Sequence, residues 1–380
     1  MTEPRSAERR PTPATDLAVW LALLVALVAS LQAGTPPRLV VLSLIVLTVT
    51  LALSLRWRIG PLVVVLLLLL GMALRAVPST GFSDVLVVTE AAIREMLAGG
   101  NPYGHGFEAS FPPGAPFAYG PLALLWYLPS LDHPAGLELL AAYLVLGLLA
   151  LRGRPLGLAV YAFTPAFVVA AADGSNDTTA GLLILAALLL ALRVPNAGAV
   201  LLAVAVAFKP YALAWLPGLL AYGGAAGPLV AFLLASAAAW LSAFVAFGPG
   251  AVLTSFRDAD ALHGTAYYSL AYALEAPEGL PQPFWNGLRV AAGLVLAVGN
   301  LLFVRTARGL ILGGTLVFAA TLFLGWWGTF AYFAAVAPII CWHLDDWLGL
   351  GGQRIVWPGD PVRRVTTWAD RWWPVRSGAV

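Results

Sequence analysis

A chain of 380 residues is long enough for two or three ordinary domains. Hydrophobic residues make up 60% of it and charged residues only 11%, whereas soluble domains carry roughly 25% charged residues. With a mean hydropathy of +0.85, that excludes a soluble enzyme, a disordered segment and a nucleic-acid-binding domain. The formal net charge of +2 is too small to call for an anionic partner.

Single residues add to this. Lys209 is the only lysine, every other basic side chain being arginine, and this bias points to a high-GC, bacterial genome. Cys341 is the only cysteine, so an intramolecular disulfide and a cysteine metal site are both excluded.

Residues 1–16 form a polar tail carrying Arg5, Arg9 and Arg10, expected on the cytoplasmic side. The apolar run after it lacks a small-residue cleavage site and reads as an uncleaved first span. Runs 17–33, 39–55 and 59–77 are near the length of about 20 residues that crosses a bilayer. Arg56 and Arg58 then belong inside, and the chain emerges outside at 78.

Residues 78–120 form a first outer loop containing Asp84, Glu90, Arg94, Glu95, His105 and Glu108. A short helix over 89–97 stops at Gly99-Gly100-Asn101-Pro102. Residues 119–131 are apolar but too short to span, and read as an interfacial helix on the outer face. Spans at 137–151, 158–172 and 179–192 leave Arg152, Arg154 and Arg193 inside and the second outer loop, 173–178, outside. Arg38 departs from the rule.

Residues 197–222 are either one helix or two short segments broken at Lys209-Pro210. The broken pair is preferred. It keeps the long loop 249–283 outside, and Arg305, Arg308 and the Trp/Arg-rich tail 345–380 inside. Segments 227–247, 285–304, 310–324 and 329–340 complete an all-α bundle of about twelve membrane segments within 17–344.

Ionisable groups near a bilayer are costly, so each is a candidate site. Asp84 stands at the outer interface, where a carboxylate can take the proton of an incoming hydroxyl. It is equally suited to cap the helix that follows. Asp173, Asn176 and Asp177 can orient a sugar, hold Mg²⁺ or Mn²⁺, or cap the next helix. Lys209 has no acid near it in sequence; it needs an anion, which a lipid phosphate would supply, or else it snorkels to the headgroups. The spacings of the four histidines match no metal motif, and His263 is placed where it can meet the first outer loop. Aromatics such as Tyr103 and Tyr119 suit both an interface and sugar stacking.

Three stretches together resemble a known family. They are Phe82-Ser83-Asp84 with the run Thr89 to Asn101-Pro102-Tyr103 and Tyr119-Gly120-Pro121-Leu122; Gly174-Ser175-Asn176-Asp177; and Ala205-Val206-Ala207-Phe208-Lys209-Pro210. In this order, over 59–220, they resemble bacterial GT-C membrane glycosyltransferases of the branch using polyprenyl-phosphate mannose. Two departures are the pair of spans before 59, and Gly120 where the family usually carries proline.

The resemblance implies a GT-C fold with its active site on the extracytoplasmic face of the bacterial cytoplasmic membrane. It implies an inverting transfer of a sugar, mannose foremost, from a polyprenyl-phosphate donor to a lipid or glycan acceptor. Asp84 would be the base, Asp173, Asn176 and Asp177 the second acidic loop, and Lys209 the contact to the donor phosphate. Arg94, Tyr103, Tyr119 and His263 would give support. No cofactor is required, a divalent cation staying open, and no nucleic acid takes part. The rival reading is a lipid-linked-sugar flippase, which predicts inverted repeats and polar groups at the midplane of several spans.

Overall fold

The computed structural model describes residues 37–56, 59–77, 83–262, 264, 268–274, 279–349, 355 and 357. The expected first span at 17–33, most of the 345–380 tail and His263 lie outside them. The described chain is helical apart from one antiparallel pair of two-residue strands, β1 (Gly106–Phe107) and β2 (Ala115–Pro116).

Proline marks many helix starts. Pro61, Pro121, Pro155, Pro165 and Pro195 stand in the first turn of α2 (Pro61–Ala76), α4 (Pro121–Tyr127), α6 (Pro155–Phe163), α7 (Pro165–Ala170) and α9 (Pro195–Phe208), where the missing N–H has no partner to lose. Between and around them lie α1 (Pro37–Arg56), α3 (Val85–Leu97), α5 (Ala135–Arg152) and α8 (Asp177–Ala191). The C-terminal half adds α10 (Leu216–Gly223), α11 (Ala226–Phe247), α12 (Pro249–Leu262), α13 (Leu270–Ala273), α14 (Gln282–Phe303), α15 (Ala307–Phe323) and α16 (Tyr332–Trp347).

Among the described residues, three helices are long and apolar enough to cross a membrane: α5, α11 and α14. Others, such as α2, α8, α9 and α15, are apolar but shorter. Length and apolarity thus mark fewer crossings than the sequence led us to expect. One reason is proline: α6 and α7 divide at Thr164-Pro165; the division of 197–222 at Lys209-Pro210 is the one preferred from the sequence. The segment expected as a long loop at 249–283 is helical over α12. Residues 119–131 do form a short helix, α4, followed by a 3-10 turn at Leu128–Ser130.

The break at Lys209 reverses the chain. After α9 comes a 3-10 turn (Pro210–Trp215) and then α10, whose last residue returns to the start of α9: a Cβ on Gly223 would stand 2.8 Å from Pro195 Cβ. The bundle therefore has two unlike ends. At one end Arg152 and Arg154 both pair with Asp346 at 2.5 Å, and Arg308 lies over the Trp347 ring. At the other end the loops around 83, 120, 174 and 209 gather. The 18 residues of α5 set the two ends roughly 27 Å apart at about 1.5 Å per residue.

Helix α6 is a half-helix held at both termini by charges from elsewhere. Pro165 has no N–H to give to the Tyr161 carbonyl four residues back. Arg75, 1% exposed, fills the gap: its guanidinium donates to Tyr161 O at 2.5 Å and to Ala162 O at 2.9 Å, and lies over the Tyr161 ring. At the other terminus Asp345 accepts the N–H groups of Leu156 at 3.1 Å and Gly157 at 2.7 Å. An anion at the N-terminus and a cation at the C-terminus both oppose the helix dipole.

Candidate functional site

The loops around 83 and 174 are stitched together through their backbones. Ser83 N–H donates to Asp173 O at 2.6 Å, and Leu86 N–H to Gly174 O at 2.9 Å. Gly174 is required there. Its φ is +92°, and a Cβ would stand 2.5 Å from Ser83 O. The loop before α4 is fixed equally closely to the end of α9. Gly120 N–H donates to Phe208 O at 3.2 Å, and a Cβ on Gly120 would overlap the Ala207 carbonyl. A proline at this position has neither the donor nor the room, which accounts for glycine here.

These contacts bring Lys209 to the start of α8. Its ammonium donates to Asn176 Oδ1 at 2.6 Å and Asp177 Oδ1 at 2.8 Å. The Tyr211 hydroxyl donates to the same Asp177 oxygen at 2.6 Å. The rings of Tyr119, Tyr211 and Tyr332 surround the ammonium at 5.5, 5.1 and 5.8 Å from their centroids. The pair is sealed, with side chains 8% and 2% exposed. The counter-ion that the sequence left unassigned is therefore Asp177, 32 residues away in the chain, and the need for an outside anion is met within the protein.

Asp84 immediately precedes α3, as a cap would, but its side chain makes no cap bond. Its Oδ2 instead accepts the Phe111 N–H at 2.8 Å, tying the tip of the β1–β2 loop to the site. The carboxylate is partly exposed. Burial raises the Tyr119 phenol well above the ordinary value, and Asp84, Tyr332 and Asp177 push the same way through their charges. Asp173 lies behind this group. Its Oδ1 accepts the Ser175 N–H at 2.8 Å, and burial pushes its carboxyl up to about 6.

Other expected residues lie apart. Tyr103 is buried as packing: its hydroxyl donates to Tyr119 O at 3.2 Å and its ring meets Phe117 and Phe247. Arg94 is on the surface, 52% exposed and paired with Glu90 and Asp132. Among the described residues no group of three or more His, Cys, Asp or Glu side chains converges.

Several contributors escaped the sequence reading. Tyr211 and Tyr332 complete the ring cage, and the only local signal was the position of Tyr211 two residues after Lys209. Glu138 is the sole acid of α5 and is 1% exposed. Asp260 of α12 accepts from Arg289 at 2.6 Å and from Asn286 at 2.8 Å, clasping α12 to α14. A separate cleft of about 320 Å³ runs between the strand pair and α12, with His105 and Asp258 in its walls and neither Asp84 nor Lys209. Asp173, Asn176, Asp177 and Lys209 thus gather at the tyrosine-lined cluster and not in this cleft.

No family model, curated protein or solved structure matches the chain. What defines the molecule is an all-helical membrane-type bundle with a sealed Asp–Lys pair and a partly exposed aspartate at one end.

Proposed function

We propose that this is an integral-membrane glycosyltransferase of the GT-C type, moving a sugar from a polyprenyl-phosphate donor to a lipid or glycan hydroxyl at the outer face of the bacterial cytoplasmic membrane. The observation that carries the reading is Asp84. Its carboxylate caps nothing, is partly open, and belongs to the segment that Ser83 and Leu86 fasten to Asp173 and Gly174, the loop that leads to Asn176 and Asp177.

In the proposed step the Asp84 carboxylate takes the proton of the acceptor hydroxyl. The acceptor oxygen forms its bond to the anomeric carbon as the carbon–oxygen bond to phosphate breaks, and the configuration inverts. The electron pair leaves with the polyprenyl phosphate, whose growing charge needs neutralising rather than protonating. Two of the three Lys209 ammonium hydrogens go to Asn176 and Asp177, so the third reaches a donor phosphate oxygen only when the Tyr119 ring moves off the ammonium. The mannose preference rests on the resemblance alone.

The test uses purified protein, radiolabelled polyprenyl-phosphate mannose and membrane extract. A new labelled glycolipid, lost in Asp84→Asn by at least roughly 10²-fold with donor binding kept, is the expected result. The divided helices α6–α7 and α9–α10 also suit a flippase. Carrier that crosses the bilayer with its sugar still attached, and no new glycolipid, would establish that reading instead.

A further inference from the structure

Glu138 has no role in the chemistry above, yet three donors converge on it. Its Oε1 accepts from the Tyr127 hydroxyl at 2.5 Å and from the Thr179 hydroxyl, and its Oε2 accepts the Thr179 N–H at 2.9 Å. Thr179 is in the first turn of α8, which begins at Asp177. The N–H groups of a helix's first turn have no partner inside the helix and must find one elsewhere.

The chain's own cap does not serve. Asn176 stands at the cap position but makes no cap bond; its Oδ1 accepts from Lys209 instead. The Asn176 Nδ2 and the Thr178 hydroxyl are both buried with no partner among the described residues. Glu138, reaching across from α5, supplies what the local sequence omits. Through Tyr127 it also ties in α4, which follows directly on the loop carrying Tyr119 and Gly120.

We infer that Glu138 is the positioning residue of the Asp177–Lys209 pair. It fixes the first turn of α8 and so sets the direction from which Asp177 and Asn176 meet the ammonium. The inference concerns the geometry of the cluster and stands whatever reaction the cluster serves. Two of the three partners are hydroxyls, so a carboxamide keeps the Thr179 N–H bond only by turning its NH₂ toward Tyr127 and Thr179 and reversing both hydroxyls, which changes the geometry of the turn.

The single lysine makes the test direct. Full-length protein in lipid nanodiscs, grown with lysine labelled with ¹⁵N at the side-chain nitrogen, yields one side-chain resonance, that of Lys209. In the wild type it is displaced from that of free lysine by three tyrosine rings. Glu138→Gln preserves volume and packing, and is expected to shift or broaden the resonance while the thermal midpoint shows the protein folded. Glu138→Asp keeps the charge and should bring it part of the way back. Glu90→Gln, at a surface acid paired with Arg94, should leave it unmoved.

A resonance in folded Glu138→Gln that superimposes on the wild type overturns the inference and makes Glu138 a packing residue. If Glu138→Gln does not fold, Thr179→Val and Tyr127→Phe each remove one bond. Thr179→Val should then move the resonance further than Tyr127→Phe, and the reverse order, or no movement from either, also overturns it. Because the readout needs no substrate, failure here is distinct from failure of the transferase assay.

Discussion

At the scale of single residues, the pairing of Lys209 with Asp177 changes what a substitution should do. Removing one member of a buried pair leaves a charge without its partner and costs about 3–5 kcal/mol, whereas replacing both is often close to neutral. Lys209→Met and Asp177→Asn should therefore each lower the thermal midpoint in detergent, and the double variant should recover most of the loss. A double variant as unstable as the sum of the two would show that the contact carries little weight. Asp173 makes a second, opposite case. Burial lifts its folded pKa from 3.8 to about 6, so the folded state holds its proton more tightly than the unfolded one. The associated stability is full below pH 3.8 and is lost as pH rises through about 6. Asp173→Asn should then stabilise the protein at pH 8, by up to roughly 3 kcal/mol, since each tenfold change in proton affinity is worth about 1.4 kcal/mol. At pH 4 or below it should bring no such gain. Thermal melts at the two pH values separate these outcomes.

At the scale of elements, the dependence of α6 on outside charges can be tested through its own proline. Arg75→Met leaves the Tyr161 and Ala162 carbonyls without the guanidinium that now satisfies them, at a cost of about 1–3 kcal/mol for an unsatisfied buried group. Pro165→Ala returns an N–H to the Tyr161 carbonyl. The two substitutions together should cost less than their sum, a departure from additivity that a double-mutant cycle in thermal melts measures directly. Elements were also where the sequence spoke most clearly. The apolar runs at 137–151, 179–192 and 227–247 reappear as α5, α8 and α11 within a few residues, because long periodic runs between prolines and glycines leave the chain little choice. The break at Lys209-Pro210 was legible for the same reason. The helix α12 was not: its sequence is mixed, and Phe256 and Ser255 find partners only when the chain has folded, the latter accepting the Gly104 N–H. Nor could sequence spacing reveal that Glu138 serves Thr179, since the two are 41 residues apart and meet only through helix packing.

At the scale of the molecule, the two unlike ends fix relative topology before any membrane is considered. Ser83 and Asp173 share a backbone hydrogen bond, and Asn101 donates to the Phe247 carbonyl, so the segments around 83, 101, 173 and 247 lie at one end of the bundle. Arg152, Arg154 and Arg308 occupy the opposite end. Single cysteines at positions 105 and 257 should accordingly be labelled from one side of a sealed vesicle and a cysteine at 305 from the other, with the first two extracytoplasmic. Cys341 is 2% exposed and should stay silent. Labelling of 105 and 305 from the same side would overturn the arrangement. The candidate site itself was only half legible in the sequence. Asp84, Asp177 and Lys209 stood out because charge is scarce in this chain, but which of them neutralises which is a property of three dimensions.

The burial of Lys209 gives the folded protein a surface without a reactive side-chain amine. The residue is 6% exposed and its ε-nitrogen is held by two acceptors, while every other basic side chain is a guanidinium. Mild acylating reagents should then pass over the native protein's side chains and modify Lys209 only when the bundle opens. Tryptic peptides from native material should carry Lys209 unmodified, and heating before acylation should mark it. One residue thereby records whether a given molecule was folded, readable by mass spectrometry in a mixture where no activity can be measured.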